Sequence, residues 1–352
     1  MELIVDIRKR LRDFDLNVNF TVKNEIFALL GGSGCGKSMT LKCIAGIERP
    51  DAGRIVLNGR TLFDSDQKIN LPPQLRRVGY LFQNYALFPN MTTAENILFA
   101  AIGTDEERQA RLRANLERFK LIGLEESYPH QLSGGQQQRV AFARILSSGA
   151  EILLLDEPFS ALDSYLKWQL ELELEQVFAA YDRSAILVSH DRGEVYRISD
   201  RVAVMNRGSI EAMNTKHKIF ENPKTLSAAL LTGCKNVSSA RRLSDEVIRA
   251  EDWQMEFELD EPIADGINCV GLRAHALEPR TEAGANTFLM RVEQTIEDNF
   301  SYVVMVRRSG TDGRPIRWEL DKKLWRSLEA PELYLHFPPS KLMLLIDRRG
   351  AR

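Results

Sequence analysis

Two short stretches of this chain have the residue types and spacing that phosphate chemistry needs. The first fits the pattern G-x-x-x-x-G-K-[ST], and it consists of Gly31, Gly32, Ser33, Gly34, Cys35, Gly36, Lys37 and Ser38. An apolar run over residues 26–30 predicts a buried strand before this loop, and residues 39–46, beginning with Met39, predict a helix after it. Together they would place backbone N–H groups around a polyphosphate, with Lys37 as a point charge and Ser38 as a hydroxyl for Mg²⁺. We predict that residues 31–39 bind a nucleoside triphosphate; a glycine-rich turn without a ligand is the alternative.

The second stretch comprises Leu132, Ser133, Gly134, Gly135 and Gln136, ahead of a helix predicted over residues 137–147. Ser133 and Gln136 have the spacing of a capping box, which is a purely structural role. A cap does not require two glycines, however. Gly134 and Gly135 would leave bare N–H groups at the positive end of the helix dipole, where an anion is favoured. Taken with the phosphate loop, this stretch resembles the signature of the ABC-transporter ATPases.

That resemblance implies four further elements of a catalytic site. Asp156 and Glu157 follow an apolar run over residues 152–155. Asp156 can hold Mg²⁺ through water, and Glu157 can orient and polarise the attacking water; in isolation the pair fits two acids in a loop equally well. His190 matches the family's switch histidine, which contacts the γ-phosphate, and Gln83 matches the glutamine that touches Mg²⁺ and the attacking water. The loop that crosses the family's dimer interface matches Ser160, Ala161, Leu162 and Asp163.

The resemblance also implies partners. In the family, the signature of one subunit closes over ATP and Mg²⁺ held by the phosphate loop of its neighbour, so a second copy of this chain is expected. Tyr85, Leu87 and Phe88 follow Gln83 and would form the groove in which a helix of an integral-membrane permease docks; packing in the core is the alternative. A substrate-binding protein would act indirectly, through the permease.

The contact to the nucleobase is left open by the sequence. Family members usually stack adenine on an aromatic residue of an N-terminal loop, and here a short hairpin offers Phe14 or the guanidinium plane of Arg10. Phe14 fits the core equally well. The basic run over residues 8–12 predicts a solvated edge or a phosphate-facing loop, with a nucleic-acid patch as the alternative.

Composition limits the classes of protein to which this chain can belong. The chain has 352 residues, enough for about two domains, and a net charge of −2, so no global basic field favours nucleic acid and no nucleic-acid partner is predicted. No apolar signal region or membrane-spanning run is found, so membrane contact is expected through a partner. The cysteines fit no zinc pattern and predict reduced thiols; they are Cys35, Cys43, Cys234 and Cys269.

The order of apolar runs predicts two domains. Residues 1–232 alternate short buried strands with helices such as 164–180, which predicts an α/β phosphate-loop domain with a largely parallel core sheet. By the resemblance it includes a helical subdomain, and Thr92 with Glu95 predicts a capped helix. Residues 233–352 are dominated by strand-like runs and turns, which predicts a small all-β barrel.

An ATPase domain followed by a small β-barrel resembles the ATP-binding subunits of bacterial or archaeal importers, which lie peripherally on the cytoplasmic face of the cell membrane. Residues 270–279 and 333–339 are most similar to molybdate importers, although sulfate/thiosulfate, iron(III) and polyamine importers share the layout. We therefore expect an ATPase that energises oxyanion import, with molybdate as the first candidate. The second domain would either stabilise the dimer or bind the anion and restrain the ATPase, with Arg273 and His275 as candidate donors.

Two other classes of protein share the phosphate loop. Soluble ABC-type ATPases that act on DNA or ribosomes usually carry two nucleotide domains or a long heptad insertion. Here about a hundred residues separate Lys37 from Ser133, and neither feature is present. A phosphate-loop kinase would have an acceptor-binding lid and would lack the Gly134-Gly135 signature.

Overall fold

The computed structural model of the chain describes residues 1–160, 164–180, 184–328 and 330–348. It divides into two compact units, residues 1–216 and 217–352. The first unit is an α/β domain and the second is rich in β-strands. No described helix is long and apolar enough to cross a membrane.

One mixed sheet, with eleven strands among the described residues, organises the first unit. Its strands are β1 (Glu2–Arg10), β2 (Asp15–Lys23), β3 (Ile26–Gly31), β4 (Ala52–Leu57), β5 (Arg60–Asp64), β6 (Ile69–Asn70), β7 (Val78–Leu81), β8 (Ile152–Asp156), β9 (Ser184–Ser189), β10 (Arg201–Asn206) and β11 (Ser209–Thr215). They lie in the order β6-β5-β4-β1-β2-β11-β10-β3-β9-β8-β7.

The centre of this sheet is parallel. β10, β3, β9, β8 and β7 pair in parallel with their neighbours in that order. Every residue of β8 and β9 is buried, because helices cover both faces, and this explains why their sequences are continuous apolar runs. Each buried leucine or isoleucine contributes roughly 1.5–3 kcal/mol to folding. The predicted α/β fold with a largely parallel core is confirmed.

The strands around β1 pair in antiparallel registers, and β2 has one buried and one exposed face. β1 pairs with β2 and with β4 in antiparallel registers. In β2 buried and exposed residues alternate, because one face packs on the core and the other faces solvent. This arm contains the N-terminal hairpin expected from the sequence.

Helices flank the sheet of the first unit, and each boundary has a local cause. α2 packs against α4, and α3 packs against both, which forms the helical part of the unit. Capping boxes begin α2 at Thr92 and α4 at Ser133, as the sequence predicts. Because that box includes the two glycines, α4 begins at Gly134 rather than at the predicted Gln137. The helices are α1 (Lys37–Ala45), α2 (Thr93–Ala100), α3 (Asp105–Arg118), α4 (Gly134–Ser147), α5 (Ser164–Ala180) and α6 (Arg192–Ile198), with 3₁₀ turns at Pro73–Leu75 and Pro129–Gln131.

The second unit contains two antiparallel sheets of five strands each among its described residues. One has the order β14-β13-β12-β15-β21 and the other β16-β20-β17-β18-β19, and neither closes on itself in that order. The strands are β12 (Asn236–Arg242), β13 (Val247–Ala250), β14 (Met255–Glu258), β15 (Cys269–Leu272), β16 (Glu278–Arg280), β17 (Thr287–Glu297), β18 (Ser301–Arg308), β19 (Ile316–Asp321), β20 (Glu332–His336) and β21 (Met343–Leu345).

Helices and a large aromatic core complete the second unit. Trp253, Phe257, Trp318 and Phe337 are buried in one apolar cluster. α8 packs beside the buried Cys234 and β21, so the division between the units falls before α8, whereas the sequence places it after residue 232. The helices are α7 (Lys216–Glu221), which crosses the division, α8 (Leu226–Leu231) and α9 (Lys322–Leu328), with a 3₁₀ turn at Pro339–Lys341.

Candidate nucleotide site

The carboxyl ends of four parallel strands bring the predicted site residues to one edge of the sheet. β3 leads into the phosphate loop, β8 ends at Asp156, β9 ends just before His190, and β7 ends two residues before Gln83. Ligands of open parallel sheets bind at this edge, because loops from neighbouring strands converge there. The sheet order therefore joins segments that lie more than a hundred residues apart in the chain.

The backbone of the phosphate loop adopts left-handed conformations that its glycines permit. Gly34 and Gly36 have φ of +75° and +107°, a region that residues with a side chain rarely adopt. A Cβ atom at Gly36 would also lie 2.9 Å from Leu16 Cδ1. Lys37 is buried, and its Nζ donates to the carbonyl oxygens of Gly31 at 2.8 Å and Gly32 at 2.9 Å.

The amino end of α1 differs from those of α2, α3 and α4. Its N-cap is Gly36, and no side chain caps it. By contrast, capping boxes begin α2, α3 and α4, where Thr92, Thr104 and Ser133 accept a backbone N–H. The first turn of α1 thus keeps its N–H groups for an anion, as the helix dipole favours.

Arg76 holds the carboxyl end of the same helix, a role that the sequence did not predict. Its side chain is fully buried, and it donates to the carbonyl oxygens of Cys43, Ile44 and Leu71 at 2.8 Å each. Burial lowers the pKa of Arg76 to about 10. Cys43 and Ile44 belong to the last turn of α1, where carbonyl groups lack the regular helical partner, so Arg76 fixes where α1 ends. Nothing local in the sequence identifies an arginine thirty residues away as this cap.

Asp156 contacts the phosphate loop directly. Ser38 Oγ donates to Asp156 Oδ1 at 2.7 Å, and Tyr80 Oη donates to Oδ2 at 2.8 Å. Burial, together with the charge of Asp156, raises the pKa of Tyr80 well above its usual value. Tyr80 therefore stays a neutral donor that orients the carboxylate. The sequence did not predict this role of Tyr80, because it depends on β7 lying next to β8.

Glu157 brings together the glutamine and the histidine. Its carboxylate lies 3.5 Å from Gln83 Nε2 and 3.3 Å from His190 Nδ1. Glu157 has a left-handed backbone, with φ of +46°, and its N–H donates to Val188 O at 3.0 Å. Strained non-glycine backbone at a polar site commonly accompanies function. This geometry aims the side chain into the site.

A partly buried network lies behind His190, and the sequence did not predict it either. Lys167 Nζ lies 2.6 Å from Asp191 Oδ2 and 2.6 Å from Glu194 Oε1, and Ser189 Oγ donates to Glu194 at 2.5 Å. Burial alone would lower the pKa of Lys167, but its hydrogen bonds to both carboxylates outweigh burial and raise the pKa. The network borders a cavity of about 180 Å³ that Glu157 and His190 also line. It ties the loop after β9 to α5.

The signature stretch begins α4 with the predicted capping box. Ser133 Oγ accepts the N–H of Gln136 at 3.3 Å, and Gln136 Oε1 accepts the N–H of Ser133 at 2.8 Å. Ser133 and Gly134 are exposed, so the cap leaves this helix end open to solvent. In the predicted interface loop, Ser160 is exposed and donates to Glu157 O at 3.0 Å. The other three predicted residues of that loop lie outside the described residues; they are Ala161, Leu162 and Asp163.

The remaining candidates take distinct positions. Phe14 is half-buried, and its ring lies beside the phosphate loop, since a methyl group added to Gly36 would lie 3.4 Å from it. Arg10 is exposed. In the second unit Arg273 donates to the carbonyl oxygens of Phe220 and Thr232, which gives it a structural role, whereas His275 is exposed.

The predicted docking groove is partly core and partly surface. Tyr85 is buried, as the core alternative requires. Phe88 is half-buried and packs against Phe99, with the ring centres 4.6 Å apart. Phe99 is 63% exposed and Ile102 is 51% exposed, so apolar side chains do line this part of the surface.

Comparisons with known proteins identify relatives for most of the chain. A family profile described as ABC transporter matches residues 15–160. The spermidine/putrescine import ATP-binding protein PotA of Acidothermus cellulolyticus is 46% identical over 61% of this chain, and the match spans 56% of that relative's length. The sulfate/thiosulfate import ATP-binding protein CysA 2 of Chromobacterium violaceum is 37% identical over 85% of this chain and 81% of its own length. The Fe(3+) ions import ATP-binding protein FbpC of Haemophilus influenzae is 38% identical over 67% of this chain and 68% of its own length.

A solved structure shares the fold of the first unit. The dimeric post-hydrolysis state of the ATP-binding cassette MJ0796 bound to ADP and Pi aligns with a TM-score of 0.52 and 28% sequence identity. The alignment covers 61% of this chain and 99% of that structure. With the match to CysA 2 over most of both chains, this similarity leads to one conclusion: the chain belongs to the family of ABC-transporter ATP-binding proteins.

Proposed function

We propose that this protein is the ATP-hydrolysing subunit of an ABC importer. The observation that carries the proposal is the carboxylate pair at the end of β8. Asp156 bonds Ser38 of the phosphate loop, and Glu157 lies within 3.5 Å of Gln83 and His190. A phosphate-binding loop, a Mg²⁺-holding carboxylate and a water-orienting carboxylate are the parts that phosphoryl transfer to water requires.

Nucleotide binding is proposed for residues 31–39. The loop's N–H groups and the uncapped start of α1 would receive the phosphates. On binding, the Lys37 ammonium would exchange the carbonyl oxygens of Gly31 and Gly32 for phosphate oxygens, which compensate its charge better than carbonyl groups do. Phe14, beside this loop, is the proposed contact for the base.

Mg²⁺ fits the oxygen atoms at this edge. Ser38 and Asp156 present a hydroxyl and a carboxylate oxygen 2.7 Å apart, and Gln83, whose amide lies beside Glu157, would add an amide oxygen; hard cations prefer such ligands. The described residues include no cluster of three or more His, Cys, Asp or Glu side chains suited to a metal, so this mixed set is the proposed holder. Bound there, Mg²⁺ would neutralise charge on the phosphate oxygens.

The chain's own residues would act mainly by positioning. Glu157 would accept a hydrogen bond from the attacking water, orient it and polarise it. His190, 61% exposed and beside Glu157, would reach the γ-phosphate, while the network of Lys167 and Asp191 holds its loop. Gln83 would respond to whether ATP occupies the site.

A second copy of the chain would complete the site. Leu132 to Gln136 lie at the start of α4, with Ser133 and Gly134 exposed, and we propose that this surface covers the ATP of the partner subunit, with residues 160–163 beside it. MJ0796, which shares the fold, is described as a dimer bound to ADP and Pi. ATP would thus join two subunits, and hydrolysis would release them.

The membrane partners follow from the same proposal. The apolar surface around Phe88, Phe99 and Ile102 would receive a helix of an integral-membrane permease, at the cytoplasmic face of the membrane. A substrate-binding protein would deliver cargo to that permease. The relatives reported above carry import in their names, which supports import over a soluble role on DNA or ribosomes.

The cargo is proposed from the relatives rather than from a site. Their names concern spermidine/putrescine, sulfate/thiosulfate and Fe(3+), so these three replace molybdate as the first candidates. The molybdate expectation rests on residues 270–279 and 333–339 alone and gains no support from these relatives. Because Arg273 bonds carbonyl oxygens, we favour a structural or dimer-stabilising role for the second unit over anion binding.

The decisive experiment replaces Glu157 by glutamine in the purified protein. Glu157→Gln should lower Mg²⁺-dependent ATP hydrolysis by about 100-fold or more while ATP affinity stays within about threefold, because water activation is lost and the phosphate contacts remain. Glu151→Gln, at the opposite end of β8, is the matched control and should hydrolyse ATP normally. Unchanged hydrolysis by Glu157→Gln would refute the catalytic assignment.

A second experiment identifies the cargo. Cells carrying wild type or Glu157→Gln would be compared for uptake of labelled spermidine and sulfate, and for cellular iron, molybdenum and tungsten by elemental mass spectrometry. Loss of one solute with the variant identifies it as the cargo. Selective loss of molybdenum would restore the molybdate expectation, and no loss of any solute would count against the importer proposal.

A further inference from the structure

The loop between β7 and α2 has a strained backbone that no glycine relieves. Tyr85 and Ala86 have φ of +60° and +44°. This left-handed region is unfavourable for residues with a Cβ atom, and two in succession are uncommon. Tyr85 is also buried, and its hydroxyl has no hydrogen-bond partner among the described residues. Residues 83–88, the glutamine loop, therefore adopt a conformation that their own sequence does not favour.

Arg144, in the last turn of α4, makes the hydrogen bonds that stabilise this strained backbone. Its Nη1 donates to Ala86 O at 2.8 Å, and its Nη2 donates to Tyr85 O at 2.7 Å. The guanidinium also lies over the ring of Phe88, 5.6 Å from its centre. A planar group that binds two successive carbonyl oxygens fixes both the position and the direction of the backbone. Among the described residues, its hydrogen bonds run to carbonyl oxygens and not to a carboxylate.

The far end of the loop is anchored separately. Asn96 of α2 is fully buried, accepts the N–H of Phe88 at 2.9 Å and donates to Phe88 O at 3.1 Å. At the near end, Gln83 lies 3.5 Å from Glu157. Between the fixed end at Phe88 and the site at Gln83, the backbone passes through the two strained residues that Arg144 holds.

We propose that Arg144 is a positioning residue for ATP hydrolysis, which holds the glutamine loop so that Gln83 stays beside Glu157. The inference deepens the proposed function and rests on it. Because Arg144 belongs to the helix that begins at Ser133, it also connects the signature end of α4 with the glutamine loop. A displacement of α4 would thereby move Gln83 and the apolar surface at Phe88 together.

The first test separates binding from turnover. Arg144→Ala should lower kcat for ATP about tenfold and change KM less than about twofold, because Gln83 is misplaced while the phosphate loop is intact. Arg144→Lys should show most of the same loss, since one ammonium cannot bind both carbonyl oxygens as the fork does. Arg60→Ala is the matched control: Arg60 also donates to two successive carbonyl oxygens, those of Leu75 and Arg76, and its loss should leave kcat within about twofold.

The second test is rescue. Ala86→Gly removes the Cβ atom that opposes the left-handed backbone, so the double variant Arg144→Ala with Ala86→Gly should recover at least half of the lost rate on a logarithmic scale. In a Gln83→Ala background, Arg144→Ala should cause little additional loss, because the two act through one element. A merely destabilising role for Arg144 predicts neither result.

The third test needs no hydrolysis. Amide hydrogen exchange of peptides covering residues 83–88, without nucleotide, should be about tenfold faster in Arg144→Ala and unchanged in Arg60→Ala. If wild type does not hydrolyse ATP, the proposed function fails and this measurement still decides whether the clamp exists. Equal exchange in wild type, Arg144→Ala and Arg144→Lys would overturn the proposal. Fully additive losses with Gln83→Ala would overturn it as well, and Arg144→Lys supplies the result if the alanine variant does not fold.

Discussion

The phosphate loop and the glutamine loop lie on either side of the same carboxylates, and both contain left-handed backbone. In the phosphate loop the left-handed residues are Gly34 and Gly36, which pay no steric cost for that conformation. In the glutamine loop they are Tyr85 and Ala86, and Arg144 holds their carbonyl oxygens. The first shape is specified locally, and the second is specified by a contact with a helix about sixty residues away in the chain.

This difference matches the roles we propose for the two loops. A loop whose conformation costs little keeps its shape whatever the neighbouring helices do, which favours tight and constant binding of phosphate. A loop that a distant side chain holds under strain can change when that helix moves. Phosphate binding would therefore depend on the local shape of the phosphate loop. Communication between α4 and Gln83 would depend on the contact of Arg144 with the glutamine loop.

Removing a glycine from the phosphate loop should affect ATP binding far more than adding a glycine to the glutamine loop. Gly36→Ala should lower ATP affinity about 100-fold or more, because φ of +107° is strained for alanine and the new Cβ atom would meet Leu16 Cδ1 at 2.9 Å. Ala86→Gly should change affinity by less than about twofold, because it removes strain. Titration with a fluorescent ATP analogue measures both, and equal losses would contradict the contrast between the loops.

A second change tests whether the phosphate loop is as independent as its glycines suggest. Arg76→Met should lower the free energy of unfolding by about 3 kcal/mol, because the carbonyl oxygens of Cys43, Ile44 and Leu71 lose a buried donor. Arg77→Met, next to it and largely exposed beside Glu151, should cost less than about 0.5 kcal/mol. Urea unfolding monitored by circular dichroism gives both values. A loss near zero for Arg76→Met would mean that α1 needs no tertiary cap.

The smallest expected effect concerns the third loop of the site, which follows β9. Burial would raise the pKa of Asp191, but the hydrogen bond and charge of Lys167 outweigh burial and lower it. A lowered carboxyl pKa adds stability above the unfolded value of about 3.9, and that stability is lost as the pH falls through the folded pKa. Lys167→Met should therefore cost about 2 kcal/mol or less near neutral pH, since Asp191 is partly exposed whereas Glu194, the other partner of Lys167, is buried.

The cost of Lys167→Met to the free energy of unfolding should depend on pH in a defined direction. The difference in unfolding free energy between wild type and Lys167→Met should be constant from about pH 5 to pH 8 and should shrink below about pH 4. The raised pKa of Lys167 also contributes stability, which is fully present below the unfolded lysine value of about 10.4 and is lost only as the pH rises above it. Lys120→Met, which removes an exposed lysine that pairs with Glu173, is the control. A difference that grows towards acid would exclude the proposed ion pair.

Local sequence signals predicted many of the elements because their physical causes are local. The capping boxes at Thr92 and Ser133 follow from side chains three residues apart, and both are confirmed. The helix over 164–180 was predicted with the bounds that the structure has. Within the predicted β-rich region 233–352, no individual strand was predicted over 236–258, because the strands there are short, alternate in burial and carry several charged residues.

The candidate site divides in the same way. The phosphate loop and the acidic pair at Asp156 are readable because each is one continuous stretch. Tyr80, Arg76 and Lys167 could not be found, because each acts on a group thirty or more residues away or on a neighbouring element. Their partners depend on which strand lies beside which, and that order is a property of the whole sheet.

Residue types and their local spacing specify the chemistry of single segments: a loop that its glycines allow to approach phosphate, helix starts that are capped or left open, and strands apolar enough to be buried on both faces. How these segments combine into one site depends on the tertiary fold. Parallel pairing of β3, β9, β8 and β7 brought their carboxyl ends together, and packing of α4 placed Arg144 on the glutamine loop. The two kinds of information differ because the underlying interactions act over different distances along the chain. Backbone preference and capping act within a few residues, whereas a hydrogen bond between distant segments exists only after burial of the sheet and helices has offset the entropy of bringing them together.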